Sequence, residues 1–90
     1  MKLIVISKMD FNAIKKAIQI SENICSSLIL FSDAVYMLSN PIIENNFESI
    51  YVLKEDYNKR LVKDKPSFKL LEYSELIDIL MNNESSIINL

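Results

Sequence analysis

Apolar residues along this chain fall into short unbroken runs that alternate with stretches of helical period. Leu3-Ile4-Val5-Ile6 is a run of branched apolar residues, the pattern of a strand covered on both faces in a parallel sheet. Asp10 stands where it can cap a helix, in which Phe11, Ile14, Ile18 and Cys25 share one stripe and Lys15, Lys16, Gln19 and Glu22 lie mostly elsewhere. Leu28-Ile29-Leu30-Phe31 predicts a second strand. Ser32 and Asp33 then offer caps for a short helix through Leu38, stopped by Asn40-Pro41. Positions 42–48 predict irregular chain or a frayed helix. Ile50-Tyr51-Val52-Leu53 predicts the third strand.

The next helix opens with Glu55 and Asp56 and carries Lys59 and Arg60 near its end, signs that suit the helix dipole. Glu55–Lys59 and Asp56–Arg60 are also i,i+4 pairs, each worth about 0.2–0.5 kcal/mol when exposed. A loop at 63–66 separates this helix from a fourth strand at 68–71. Ser74 is placed to cap a last long helix, with Glu75 in its first turn and Leu76, Ile77 and Leu80 turned inward; Ile87-Ile88 predicts a final edge strand. The order βαβαβαβα, with that last strand added, predicts an α/β fold. It is a three-layer sandwich with a mainly parallel four- or five-stranded sheet and helices on both faces.

Composition narrows the chemistry more than it identifies it. The 90 residues make one small domain, 1–90, half of them hydrophobic, with no histidine, glycine or tryptophan and a single cysteine. Histidine is the usual proton shuttle and metal ligand near neutral pH, and glycine lets backbone wrap a phosphate. The loop after the first strand, Ser7-Lys8-Met9-Asp10, therefore excludes a dinucleotide fingerprint or a P-loop, and no metal or cofactor is expected. The net charge of −2 carries no global signature of nucleic acid or membrane. No apolar run approaches a membrane span, the first residues do not read as a signal peptide, and one cysteine makes no internal disulfide; the expected location is the cytoplasm.

Charge is nonetheless uneven. Six bases against three acids lie between Lys54 and Lys69, whereas 72–84 holds four acids and no base. The basic cluster has only Tyr57 and Phe68 interleaved as aromatics, so a solvated face competes well with phosphate binding.

In open α/β sheets the functional crevice lies beyond the strands' C-terminal ends. Asp33 stands there, as a cap or as a contact for a ligand or a partner's backbone. Asp56 with Arg60 stands there too, as a polar interface feature or a solvated pair. Tyr36, Tyr51, Tyr57 and Tyr73 exceed what a small core needs, and tyrosine is enriched at subunit contacts; Met9 and Met37 join them as exposed candidates. Cys25 is the only candidate nucleophile, able in principle to carry a persulfide as a thiolate. Its competing assignment is a small buried residue on the helix stripe, near a C-terminus whose negative dipole disfavours a thiolate.

Three blocks together resemble the DsrH/TusB-like family of the DsrE/F/H sulfur-relay proteins. Leu28-Ile-Leu-Phe-Ser-Asp33-Ala-Val-Tyr36 is similar to its apolar strand and Asp-Gly-Val/Ile-Tyr turn. Ile50-Tyr-Val-Leu-Lys-Glu-Asp56-Tyr-Asn-Lys-Arg60 is similar to its Val-Tyr-x-Leu-x-x-Asp-x-x-Ala-Arg-Gly block. Leu70-Leu-Glu-Tyr73-Ser-Glu-Leu-Ile77 is similar to its closing strand and helix start. The turn glycine is Ala34 here, and the Arg-Gly pair is Arg60-Leu61. The resemblance implies a non-catalytic subunit that supports persulfide sulfur transfer, toward tRNA wobble-uridine 2-thiolation or in sulfur oxidation. Its partners would be DsrE/F (TusC/TusD)-like subunits or further copies of itself, with an indirect link to tRNA. The family's first-helix cysteine falls near Ala17 or Ile18 here, where no sulfur exists. Asp33, Tyr36, Asp56 and Arg60 are then interface or structural residues. The alternatives are a persulfide carrier using Cys25 and a homo-oligomeric binding module.

Overall fold

The computed structural model describes residues 2–39, 46–60 and 68–90. Its core is a five-stranded, all-parallel sheet in the order β4-β3-β2-β1-β5. The strands are β1 (Lys2–Ile6), β2 (Ser26–Leu30), β3 (Ile50–Leu53), β4 (Lys69–Leu71) and β5 (Ile87–Asn89). Among the described residues, three α-helices, α1 (Phe11–Asn23), α2 (Lys54–Arg60) and α3 (Tyr73–Asn82), a 3-10 helix at Ser32–Ser39 and a short 3-10 turn at Glu84–Ser86 lie in the connections.

Topology assigns the faces. From β1 to β4 each strand is laid on the same side of the one before, so right-handed crossovers put α1, the 3-10 helix and α2 on one face. The step from β4 to β5 returns across the whole sheet, which sends α3 to the other. Side-chain alternation matches. Ile4, Ile6, Leu28, Leu30, Ile50 and Val52 pack with Ala13, Ile14 and Ala17 of α1 and with Ala34, Val35 and Met37 of the 3-10 helix. Leu3, Val5, Ile29, Leu53 and Leu71 pack with Leu76, and Ile79 and Leu80 join from α3. Every residue of the central strand β2 is buried, as a strand covered on both faces requires.

The predicted elements are all present, with instructive corrections. Asp10 caps α1, its Oδ1 accepting the Asn12 N–H at 2.9 Å. The helix buries Ala13, Ile14 and Ala17, while Phe11, expected on the inward stripe, is exposed. Position 11 is the first helical residue, a full turn before Ile14, the first large side chain that the helix buries. Cys25 also leaves the expected stripe: α1 ends at Asn23, with Ile24 as its extended C-cap, so Cys25 lies just ahead of β2 and is exposed. Met37, taken as an exposed candidate, is buried because the 3-10 spacing turns it with Ala34 to the sheet.

The cap of α3 is Glu72 rather than Ser74, with Glu75 Oε1 accepting the Glu72 N–H at 2.9 Å. The expected stop at Asn40-Pro41 and the loop at 63–66 lie outside the described residues, as does all but the Asn46–Glu48 bend of the 42–48 segment.

Ile29 is fully buried at the centre of the face that α3 covers. Ile29→Ala is expected to destabilise the fold by about 2–5 kcal/mol, read as a lower urea midpoint by circular dichroism.

Candidate functional site

Because all five strands run the same way, their C-terminal ends share one rim, and the turns leaving β1, β2, β3 and β4 converge there. The chain leaves β2 through Ser32, a non-glycine residue with φ of 55°. This left-handed conformation costs about 1–2 kcal/mol in most L-residues. It turns the Ser32 N–H toward α2, where Asp56 Oδ2 accepts it at 2.7 Å in a half-buried setting. A charge-assisted bond of this kind is worth about 1.5–3 kcal/mol, enough to hold the turn. Asp56 thus acts across the fold, joining the β2 and β3 exits.

Ser32 opens the 3-10 helix. Asp33 lies in its first turn, exposed, and not ahead of it as a preceding cap would. Ala34 and Val35 turn inward and Tyr36 turns out, 44% exposed. The small, fully buried Ala34 occupies the position where the resembled turn has glycine.

The exits of β3 and β4 are the two neighbouring strand ends whose helices depart to opposite faces, the place where open α/β sheets hold ligands. Here Lys54 Nζ and Glu72 Oε1 meet at 3.4 Å across that opening, both largely exposed. An exposed pair of this kind adds little stability, but it occupies the opening. Helix α3 presents Glu72, Glu75 and Asp78, exposed and acidic, to solvent.

Three backbone donors of the rim are thus engaged by the chain's own carboxylates: Asn12 by Asp10, Ser32 by Asp56 and Glu72 by Glu75. An incoming phosphate would displace an anion at each of them and meet the acids of α3. The arrangement does not suit phosphate or nucleotide chemistry. No group of three or more His, Cys, Asp or Glu side chains is placed to hold a metal among the described residues.

Beside the charged side chains Lys8 and Asp33, the rim exposes apolar and aromatic ones. Met9 and Phe11 stand at the exit of β1, and Tyr73, 64% exposed, stands at the exit of β4. Tyr57 instead packs on Phe68 with ring centroids 5.4 Å apart, half-buried at the edge of the core; these are the two aromatics of the basic stretch. The Glu55–Lys59 pair forms at 3.0 Å on the exposed side of α2. The Arg60 side chain lies outside the described residues, as do the bases at 63 and 65.

Cys25 sits at the opposite end of the sheet. Its carbonyl accepts the Lys2 N–H at 3.1 Å beneath β1, and the five-residue strand β2, about 16 Å long, separates it from the rim. Glu48 is brought beside it by a Glu48 N–H bond to the Ser26 carbonyl of 2.9 Å. The Cys25 thiol donates to Glu48 Oε2. That bond, with partial desolvation and the carboxylate's negative charge, pushes the thiol pKa above its ordinary value.

The chain matches no protein-family model. No curated protein and no solved structure matches it either. The assignment of its site therefore stands on the geometry alone, and that geometry brings Asp33 and Asp56 to one rim, sets Tyr36 outward on the 3-10 helix that leaves this rim, and leaves Cys25 at the other end. The Ser32–Asp56 bond was hidden from sequence reasoning, because it spans 24 positions and serine carries no mark of a left-handed turn.

Two measurements check these assignments. Asp56→Ala is expected to lower stability by about 1–3 kcal/mol by stranding the Ser32 N–H, with Asp56→Asn less damaging because it still accepts; urea unfolding of both reads the difference. The midpoint of Cys25 alkylation with pH is expected above that of a free thiol, so iodoacetamide reacts slowly near neutrality. Glu48→Gln is expected to move that midpoint down and speed the reaction at pH 7.

Proposed function

We propose that this chain is a non-catalytic subunit of a cytoplasmic sulfur-relay assembly, supporting persulfide transfer toward 2-thiolation of the tRNA wobble uridine. Its partners are DsrE/F (TusC/TusD)-like subunits or further copies of itself. The observation that carries the proposal is the state of the chain's one thiol. It stands at the end of the sheet away from the strand C-termini, hydrogen-bonded to a carboxylate and biased toward the protonated form. A persulfide acceptor needs the thiolate, and its reactivity falls with the thiolate fraction.

Three further features support the reading. The all-parallel five-stranded sheet with helices on both faces is the architecture that the resemblance to the DsrH/TusB-like family implies. Two of the resembling blocks meet physically, since Asp56 of one binds the Ser32 backbone of the other. Met9, Phe11, Tyr36 and Tyr73 leave apolar and aromatic surface on the outside of a small molecule, the composition of subunit contacts. Among the described residues no helix is long and apolar enough to cross a membrane.

The persulfide-carrier alternative has one observation in its favour: Cys25 is exposed. A single genetic comparison separates the two. Loss of the chain is expected to lower 2-thiouridine in cellular tRNA at least several-fold, and a Cys25→Ser chain is expected to restore it to within about twofold. Tyr36→Asp with Tyr73→Asp is expected to fail, together with loss of the complex on size-exclusion chromatography with light scattering. An extra sulfur atom found on Cys25 by mass spectrometry, with Cys25→Ser as inactive as the deletion, overturns the proposal.

A further inference from the structure

Between α3 and the sheet lies a cavity of about 310 Å³. Val5, Phe31 and Leu53 form its floor at the strand ends, and Leu76, Ile77 and Leu80 form its roof. The exposed residues Tyr73 and Asn89 also line it and so mark its mouth. Asn89 pairs in register with Val5 and therefore shares its face of the sheet. Among the described residues, no charged side chain lines the space. The cavity is set at the C-terminal ends of the strands, beside the opening that the Lys54–Glu72 pair closes.

We infer that this cavity binds a free, uncharged aromatic molecule of about two fused rings, with its polar edge at the mouth. Size sets the upper limit: an apolar cavity of about 150 Å³ is known to stay dry and hold benzene, and this one is about twice that volume. Lining chemistry excludes charge, because an ionised group placed against these aliphatic walls loses its hydration with no partner to replace it. Phe31 and Tyr73 supply aromatic surfaces for edge or offset stacking. The Tyr73 hydroxyl and the Asn89 amide supply one donor and acceptor set at the open side, the usual form of a small-ligand site. The inference does not depend on the sulfur-relay reading.

The test is a titration of the isolated chain with indole and with naphthalene, followed by methyl NMR. Saturable shifts are expected at the methyls of Val5, Leu53, Leu76 and Leu80. Those of Ile14 and Val52, on the other face, stay still and report that the fold is intact. Ile77→Trp and Leu80→Phe fill the space and are expected to weaken binding at least tenfold. Tyr73→Ala, at an exposed position that does not support the core, is expected to weaken indole binding several-fold and naphthalene binding less. Shifts that centre on Met9 or Met81, affinity unchanged in all three variants, or no saturable shift up to the solubility limit would each overturn the inference. So would methyl shifts produced by a partner protein but by neither probe, since the occupant would then be a side chain of that partner.

Discussion

One helix has to cover an entire face of the sheet, and much of the structure follows from that. Four strands laid down in one direction commit α1, the 3-10 helix and α2 to the same side, leaving α3 as the one α-helix among the described residues on the other. A helix with its side chains is about 10 Å across, whereas the four inter-strand spacings of the face come to about 19 Å. The helix cannot seal the layer from edge to edge. The apolar cavity beside Val5, Phe31 and Leu53 is the residue of that mismatch, and so is the half-exposed state of Tyr51 on the same face. The other face has three covering elements and a continuous core.

The same return crossing explains the electrostatics of the rim. The exits of β3 and β4 diverge to opposite faces and would leave backbone groups and an opening between them. The chain fills this region with its own charges: Lys54 with Glu72, Glu75 with the Glu72 backbone, and Asp56 with the Ser32 backbone. Three backbone donors of the rim are satisfied internally, and beside them the rim offers side-chain surface. That surface is unusually apolar at Met9, Phe11 and Tyr73. At the far end of the sheet, Cys25 and Glu48 form a self-contained pair in which the carboxylate quiets the thiol.

Local pattern carried most of the architecture. The run from Leu3 to Ile6, the run from Ile50 to Leu53 and the cap at Asp10 are readable because each depends on neighbours a few positions away. The face assignment of Leu76 was readable for the same reason. Reading weakened where a helix ended. Helical period continued past Asn23 on paper and drew Cys25 into a stripe that the extended Ile24 breaks. Ser74 has the better capping side chain, but the chain arrives from β4 with Glu72 already at the helix entrance, so position in space overrode preference.

By itself, the sequence determined the alternation of strands and helices, the parallel sheet that this alternation requires, and the exclusion of chemistry that needs histidine or a glycine-rich loop. Each follows from short-range periodicity or from the inventory of side chains, neither of which needs a third dimension. Only the tertiary structure decided that Asp56 belongs to Ser32, that Glu48 belongs to Cys25, and that one thinly covered face holds a cavity. These are meetings of residues more than twenty positions apart, fixed by the order in which the strands are laid side by side. No local pattern in the chain encodes that order.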